Sequence, residues 1–126
     1  MPQIKGIAGS RGEKAGIAKV IKSLDGVNKF TAGDILVTEA TNPSWTPIIH
    51  AASAVVTDLG GALCHAAIVC REYGIPAVVG TKTGTKRIKS GDKIIVNGTK
   101  GVVELNLLHS YLRASIGESR AARRAG

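Results

Sequence analysis

Aromatic residues are scarce in this chain: Phe30, Trp45, Tyr73 and Tyr111 are all there are in 126 residues. A row of rings on which nucleic-acid bases could stack is therefore excluded, although the formal net charge is +8. The basic residues are spread along the chain and make no single patch. The local excess in "SRAARRAG" reads as a solvated tail. No apolar run approaches the ~20 residues of a membrane span. The opening "MPQIKGIAGSRGEKAG" has neither the apolar stretch nor the cleavage site of a secretory leader, so a cytoplasmic protein is expected, with no nucleic-acid and no membrane partner. Cysteine is nearly absent too. Cys64 and Cys70 are six apart, unlike any zinc-ligand spacing, and His50, His65 and His109 are scattered; two reduced thiols and no metal site are predicted.

What is present suits an α/β layer protein. Apolar residues make up 44% of the chain, and with so few rings they are mostly Val, Ile, Leu and Ala. A domain of this length buries roughly two thirds of the surface its unfolded chain exposes, enough for a real core. "AGIAKVIKSL" (Ala15–Leu24) reads as a first strand followed by the loop "DGVNKF". A Gly33-Asp34 turn then feeds a buried strand, Ile35–Thr38. A short helix capped near Ser44 is expected over Trp45–Ala51. "SAVVTDLGG" reads as a second buried strand ending in a loop. The helix after it starts at Leu63 or Cys64 and ends at Tyr73, with Gly74 just past its end and Pro76 beyond. "PAVVGT" is a third apolar strand, so Val55–Val79 fits a right-handed parallel crossover. "KSGDKIIVNGTKGVVEL" reads as a hairpin about Asn97-Gly98. After Leu105, "NLLHSYLRASIGESRAARRAG" starts with apolar residues at helical spacing. The expected organisation is a domain over residues 1–105, then a short amphipathic helix and a flexible basic tail over 106–126.

One histidine stands out. In "GGALCHAAIVCREYGIPAVVG", His65 follows a glycine pair and opens a helix. Gly60 and Gly61 remove two side chains where an anionic group would approach the backbone. The amides near Ala62 to His65 precede any intrahelical acceptor, and the helix dipole adds positive potential there, roughly 0.3–1 kcal/mol per exposed negative charge. A neutral imidazole is a competent nucleophile near pH 7. The plain alternative is a core histidine satisfied by backbone groups. No carboxylate pair flanks His65, no serine sits in a nucleophile elbow, and no Walker-type lysine follows the glycines. A nucleophile without a nucleotide site describes a carrier that takes a phosphoryl group from one site to another.

"VVTDLGGALCHAAIVCREYGIPAVVGT" closely resembles the phosphohistidine motif of the phosphoenolpyruvate-utilising enzymes: phosphoenolpyruvate synthase, pyruvate phosphate dikinase, the first enzyme of the sugar phosphotransferase system, and rifampin phosphotransferase. The likeness runs from about Gly6 to Leu105. It implies a swivelling β/β/α phosphohistidine domain, an α/β fold whose histidine is phosphorylated at Nε2. Such a domain moves between an ATP-grasp nucleotide-binding domain or subunit, where ATP and Mg2+ bind, and an acceptor domain for pyruvate, phosphoenolpyruvate or another substrate. By position the phospho-accepting histidine is His65, the glycine pair is Gly60 and Gly61, and Cys64 lies beside them. The threonine that opens the preceding helix next to the histidine falls on Thr46. Thr57 also matches; its hydroxyl either orients the loop and imidazole or caps a strand end. Arg71 matches the family's arginine, but ~9 Å along the helix from His65 a structural role near the helix C-terminus competes. Leu63 stands where many dikinases carry a regulatory threonine, and Ala62 where relatives carry arginine or methionine. No ATP-grasp module or pyruvate-binding barrel is present, so either a stand-alone subunit or an excised domain is expected, one that does not turn over alone. The competing reading is a regulatory or binding module that kept the fold and lost phosphotransfer.

Overall fold

The computed structural model describes residues 3–105. Short strands β1 (Gln3–Lys5) and β2 (Ile7–Ser10) lead into the long β3 (Glu13–Val20). A 3₁₀ segment (Leu24–Lys29) precedes β4 (Ile35–Thr38), and a second one (Pro43–Trp45) runs into helix α1 (Thr46–Ala51). Then come β5 (Ala54–Thr57), α2 (His65–Tyr73), β6 (Ala77–Val79), the single turn α3 (Gly84–Arg87), β7 (Lys93–Asn97) and β8 (Val102–Leu105).

Strand β3 organises the sheet, whose order is β1-β8-β7-β3-β4-β5-β6-β2. Its first part, Glu13–Ile17, pairs antiparallel with β7, and its last part, Ala18–Val20, pairs parallel with β4. An antiparallel half (β1, β8, β7, β3) thus passes into a mainly parallel half (β3 to β6), which β2 closes as an antiparallel edge. Gly6 joins β1 at one outer edge to β2 at the other. Its N–H donates to the Gly101 carbonyl at 2.8 Å, and a Cβ there would stand 2.6 Å from the Val79 carbonyl oxygen, so no side chain fits at this crossing.

Side-chain alternation sorts the strands into two cores. Ile35, Val37, Val56 and Val78 face Ile4, Ile94, Val96 and Val103 of the antiparallel half. Leu36, Val55, Ala77 and Val79 point the other way, onto Ile49 of α1 and Ala66, Ala67 and Cys70 of α2. Because both faces of β4, β5 and β6 are covered, these strands are apolar at nearly every position. The result is sheet on sheet on helices: the expected β/β/α domain.

The crossover from β5 through α2 to β6 is parallel, with Val55 opposite Ala77, and α2 ends at Gly74 in a left-handed conformation (φ +70°) as expected. Three expectations shift. The first strand begins and ends earlier than Ala15–Leu24, because Lys22 and Ser23 lead into the 3₁₀ segment. The cap before α1 is not Ser44. Asn42 accepts the Ser44 N–H on Oδ1 at 2.9 Å, and Pro43 opens the 3₁₀ segment that delays the helix to Thr46. Strands β1 and β2 and the turn α3 are additional. The helix and tail expected after residue 105 lie outside the described residues.

Candidate functional site

The parallel strands β4, β5 and β6 release their chains at one edge of the sheet, and the loops that follow carry the site. Thr38 and Thr57 end β4 and β5 in register. From Thr57 the chain turns through Gly60, where φ is +111° and a Cβ would stand 2.7 Å from the Cys64 sulfur. Only glycine takes this turn without strain. The turn folds the loop back so that Cys64 N–H donates to the Gly61 carbonyl at 3.0 Å and Cys64 becomes the residue before the helix. The first intrahelical bond runs from Ile68 N–H to the Cys64 carbonyl, so the N–H groups of His65, Ala66 and Ala67 precede any helical acceptor.

His65 is half-buried at the start of α2. Its Nδ1 lies 2.8 Å from Thr41 Oγ1. Thr41, Thr57, Leu59, Gly60, Cys64 and His65 line a recess of about 90 Å³. That is room for a small group; ligand pockets of nucleotide size run to roughly 300–1,000 Å³. Apolar side chains are exposed along the same loop and helix: Leu63 is 82% exposed, and Leu59 and Ile68 are about half exposed.

The other expected site residues take distinct places. Thr57 Oγ1 donates to the Leu59 carbonyl at 2.7 Å, so its hydroxyl ties down the loop. Thr46 opens α1 as expected, and the hydroxyl within hydrogen-bond distance of the imidazole Nδ1 is that of Thr41. Gly61 differs from Gly60, since a Cβ there meets nothing within 4 Å. Cys64 is half-buried beside the ring, while Cys70 lies in the helix-side core; both are free thiols. Burial, and then the nearby Cys64, push the Cys70 thiol from 9.0 up to about 12. Arg71 reaches back along the helix: Nη1 donates to the Gly9 carbonyl at 2.9 Å and Nη2 to the Ala62 carbonyl at 2.6 Å. It straps the loop preceding His65 to β2.

Two site features were not foreseen. Thr41 sits in "EATNPSW", where the Asn-Pro pair signals a turn but nothing local points at a residue 24 positions later. Asp58, 7% exposed, accepts hydrogen bonds from the Thr85 N–H and hydroxyl. It pins α3 to the loop after β5. A buried carboxylate needs such donors, and the sequence does not say which residues supply them.

Comparison with known proteins places this geometry. Residues 30–101 match the family described as PEP-utilising enzyme, mobile domain. The chain is 50% identical over 103 residues to chondramide synthase cmdD of Chondromyces crocatus, covering 82% of this chain and 3% of that protein. It is 48% identical over 109 residues to a probable phosphoenolpyruvate synthase of Pyrococcus horikoshii, covering 86% and 13%. A solution structure of an Enzyme I protein superposes with a TM-score of 0.56 at 28% identity, over 74% of this chain and 41% of that one. The chain spans no more than about an eighth of the length of these two sequence relatives. Among the described residues, no helix is long and apolar enough to cross a membrane. A match over more than half of the chain, centred on the loop and helix that carry His65, makes this protein a member of the mobile-domain family of the phosphoenolpyruvate-utilising enzymes.

Proposed function

We infer that this domain is a phosphoryl carrier in which His65 accepts the group at Nε2 and surrenders it to a second site. The observation that supports this most is the Thr41 contact to Nδ1 at 2.8 Å. The carrier reading takes Nδ1–H as the donor to Thr41 Oγ1, the arrangement in which the Nε2 lone pair of the neutral imidazole is free. That lone pair attacks phosphorus, the bond to the departing oxygen breaks, and the electron pair leaves with the donor. The N–P bond of phosphohistidine results, with the Nδ1 proton retained. The amides at the start of α2 and the dipole of that helix face the developing charge. Gly60, Thr57 and Cys64 shape the loop, and Arg71 holds it.

The donor is ATP on an ATP-grasp or equivalent partner that also binds Mg2+; in the reverse direction it is phosphoenolpyruvate on the partner that otherwise takes pyruvate. The acceptor is pyruvate or a similar group on another partner. The 90 Å³ recess accommodates a phosphoryl group and no nucleotide, which is why the partners are needed.

A two-stage transfer tests the reading. The chain is incubated with ATP labelled on its phosphates, Mg2+ and the ATP-grasp component of a phosphoenolpyruvate synthase. The labelled chain is then isolated and given the acceptor component with pyruvate. Label should enter the chain in the first stage and leave as phosphoenolpyruvate in the second. A chain that binds the components but takes no label is a binding module and not a carrier.

A further inference from the structure

A second recess of the described structure lies away from His65. About 570 Å³ in volume, it opens between β2, the end of α2 and the β7–β8 turn. Ser10, Arg11, Arg71, Gly98 and Thr99 line it, and among the described residues no acidic side chain does. Its shape starts from a break in the ladder. Ala8 pairs with Val78 and Ser10 with Ala77, so Gly9 is an extra residue that bulges out of β2. Bulges of this kind re-aim backbone groups. Here the Gly9 carbonyl is turned to Arg71 Nη1.

The donors converge. Arg71 spends one N–H on Gly9 and one on Ala62, which leaves further N–H groups on the same guanidinium. Thr99 Oγ1 accepts from the Gly12 N–H at 3.0 Å, so its own hydrogen is free to donate into the recess. The C-terminal end of α2 contributes a negative partial charge of about half a unit, against which stand two full guanidinium charges. The balance favours an anion. Guanidinium groups bind planar and tetrahedral oxyanions through paired N–H donors.

We propose that this recess binds a small oxyanion between Arg11 and Arg71, with the Thr99 hydroxyl as a third donor. Arg71 also holds the Ala62 carbonyl, so occupancy of the recess is felt in the loop that precedes His65. The binding stands independently of what His65 does; the link to that loop gives it a regulatory meaning under the carrier reading above.

The test is a titration of the full chain with inorganic phosphate, pyrophosphate and citrate at constant ionic strength, followed by amide NMR. Saturable shifts at Gly9, Arg11, Gly98 and Thr99 are expected, with Ala62 and Leu63 moving at the same midpoint. Preference for the phosphates or for citrate tells a phosphoryl ligand from a carboxylate. Arg11→Gln should weaken binding at least roughly tenfold while leaving the rest of the spectrum in place. His65→Ala should bind as the wild type does, so a failure of the carrier reading would leave this result untouched. Shifts that grow linearly without saturating for all three anions, or that centre on residues 62–66 and ignore Arg11→Gln, would overturn the site. Saturation in the recess with Ala62 unmoved would overturn the link to the loop.

Discussion

The contact between Thr41 and His65 gives the ring a hydroxyl partner that sequence position alone does not point to. Removing the Thr41 hydroxyl frees Nδ1 and lets the ring choose its tautomer, so Thr41→Val should slow phosphoryl uptake by roughly 10- to 100-fold. Thr46→Val removes a hydroxyl that makes no hydrogen bond to the ring in the described structure, and should have the smaller effect. Stopped-flow labelling of the two variants, checked against their thermal midpoints, decides; equal losses would mean that the hydroxyl at the ring has been misplaced. The glycine pair divides in the same way. Gly60→Ala forces a side chain into the left-handed region and onto the Cys64 sulfur, and should cost about 1–3 kcal/mol in urea unfolding. Gly61→Ala meets open space and should change stability by less than about 0.5 kcal/mol. Cys70 adds a pH dependence. Its thiol is raised from 9.0 to about 12 in the folded state, so above pH ~9 the unfolded chain loses this proton first. The folded state then holds more protons and its stability falls as pH rises through that window. Cys70→Ala should unfold with a flatter dependence between about pH 9 and 10.5, and an unchanged slope would refute the assignment.

Elements rather than single residues explain how much was legible in advance. "ILVT", "AVVT" and "AVV" read as buried strands because β4, β5 and β6 are covered on both faces, and a doubly covered strand has no polar face to disguise it. Helix α2 was legible from its small apolar residues and from Gly74 and Pro76 beyond it. Strands β1 and β2, three and four residues long, were not. Each is too short to show alternation, and each exists because a distant edge, β8 or β6, offers it partners. The site was legible to the same degree: His65 and Gly60 announce themselves locally, whereas the contacts of Thr41 and Arg71 depend on which loops the sheet brings together. The two cores give this a quantitative check. Ile35 is fully buried between the sheets, so Ile35→Ala should cost about 2–5 kcal/mol by denaturant unfolding. A loss below about 1 kcal/mol would mean the sheets do not pack as described.

The whole molecule offers an imidazole, a recess too small for a nucleotide, and exposed apolar side chains, Leu59, Leu63 and Ile68, on the loop and helix that carry His65. On the carrier reading proposed above, such a domain is carried to its substrates. Incubated with ATP, Mg2+ and pyruvate and no other protein, it should release neither phosphate nor AMP above background; sustained turnover would show that catalytic residues lie elsewhere in the chain. Docking should be weak and fast, because a carrier that visits two sites cannot remain long on either. Everything rests on one nitrogen. The most direct measurement is imidazole NMR of the chain labelled with ¹⁵N, recorded after phosphorylation by a nucleotide-binding component. The expected spectrum shows phosphorus coupled to Nε2 of His65, with Nδ1 still protonated and His50 and His109 unmodified. Phosphorus on Nδ1, on either other histidine, or on no histidine at all would contradict the account.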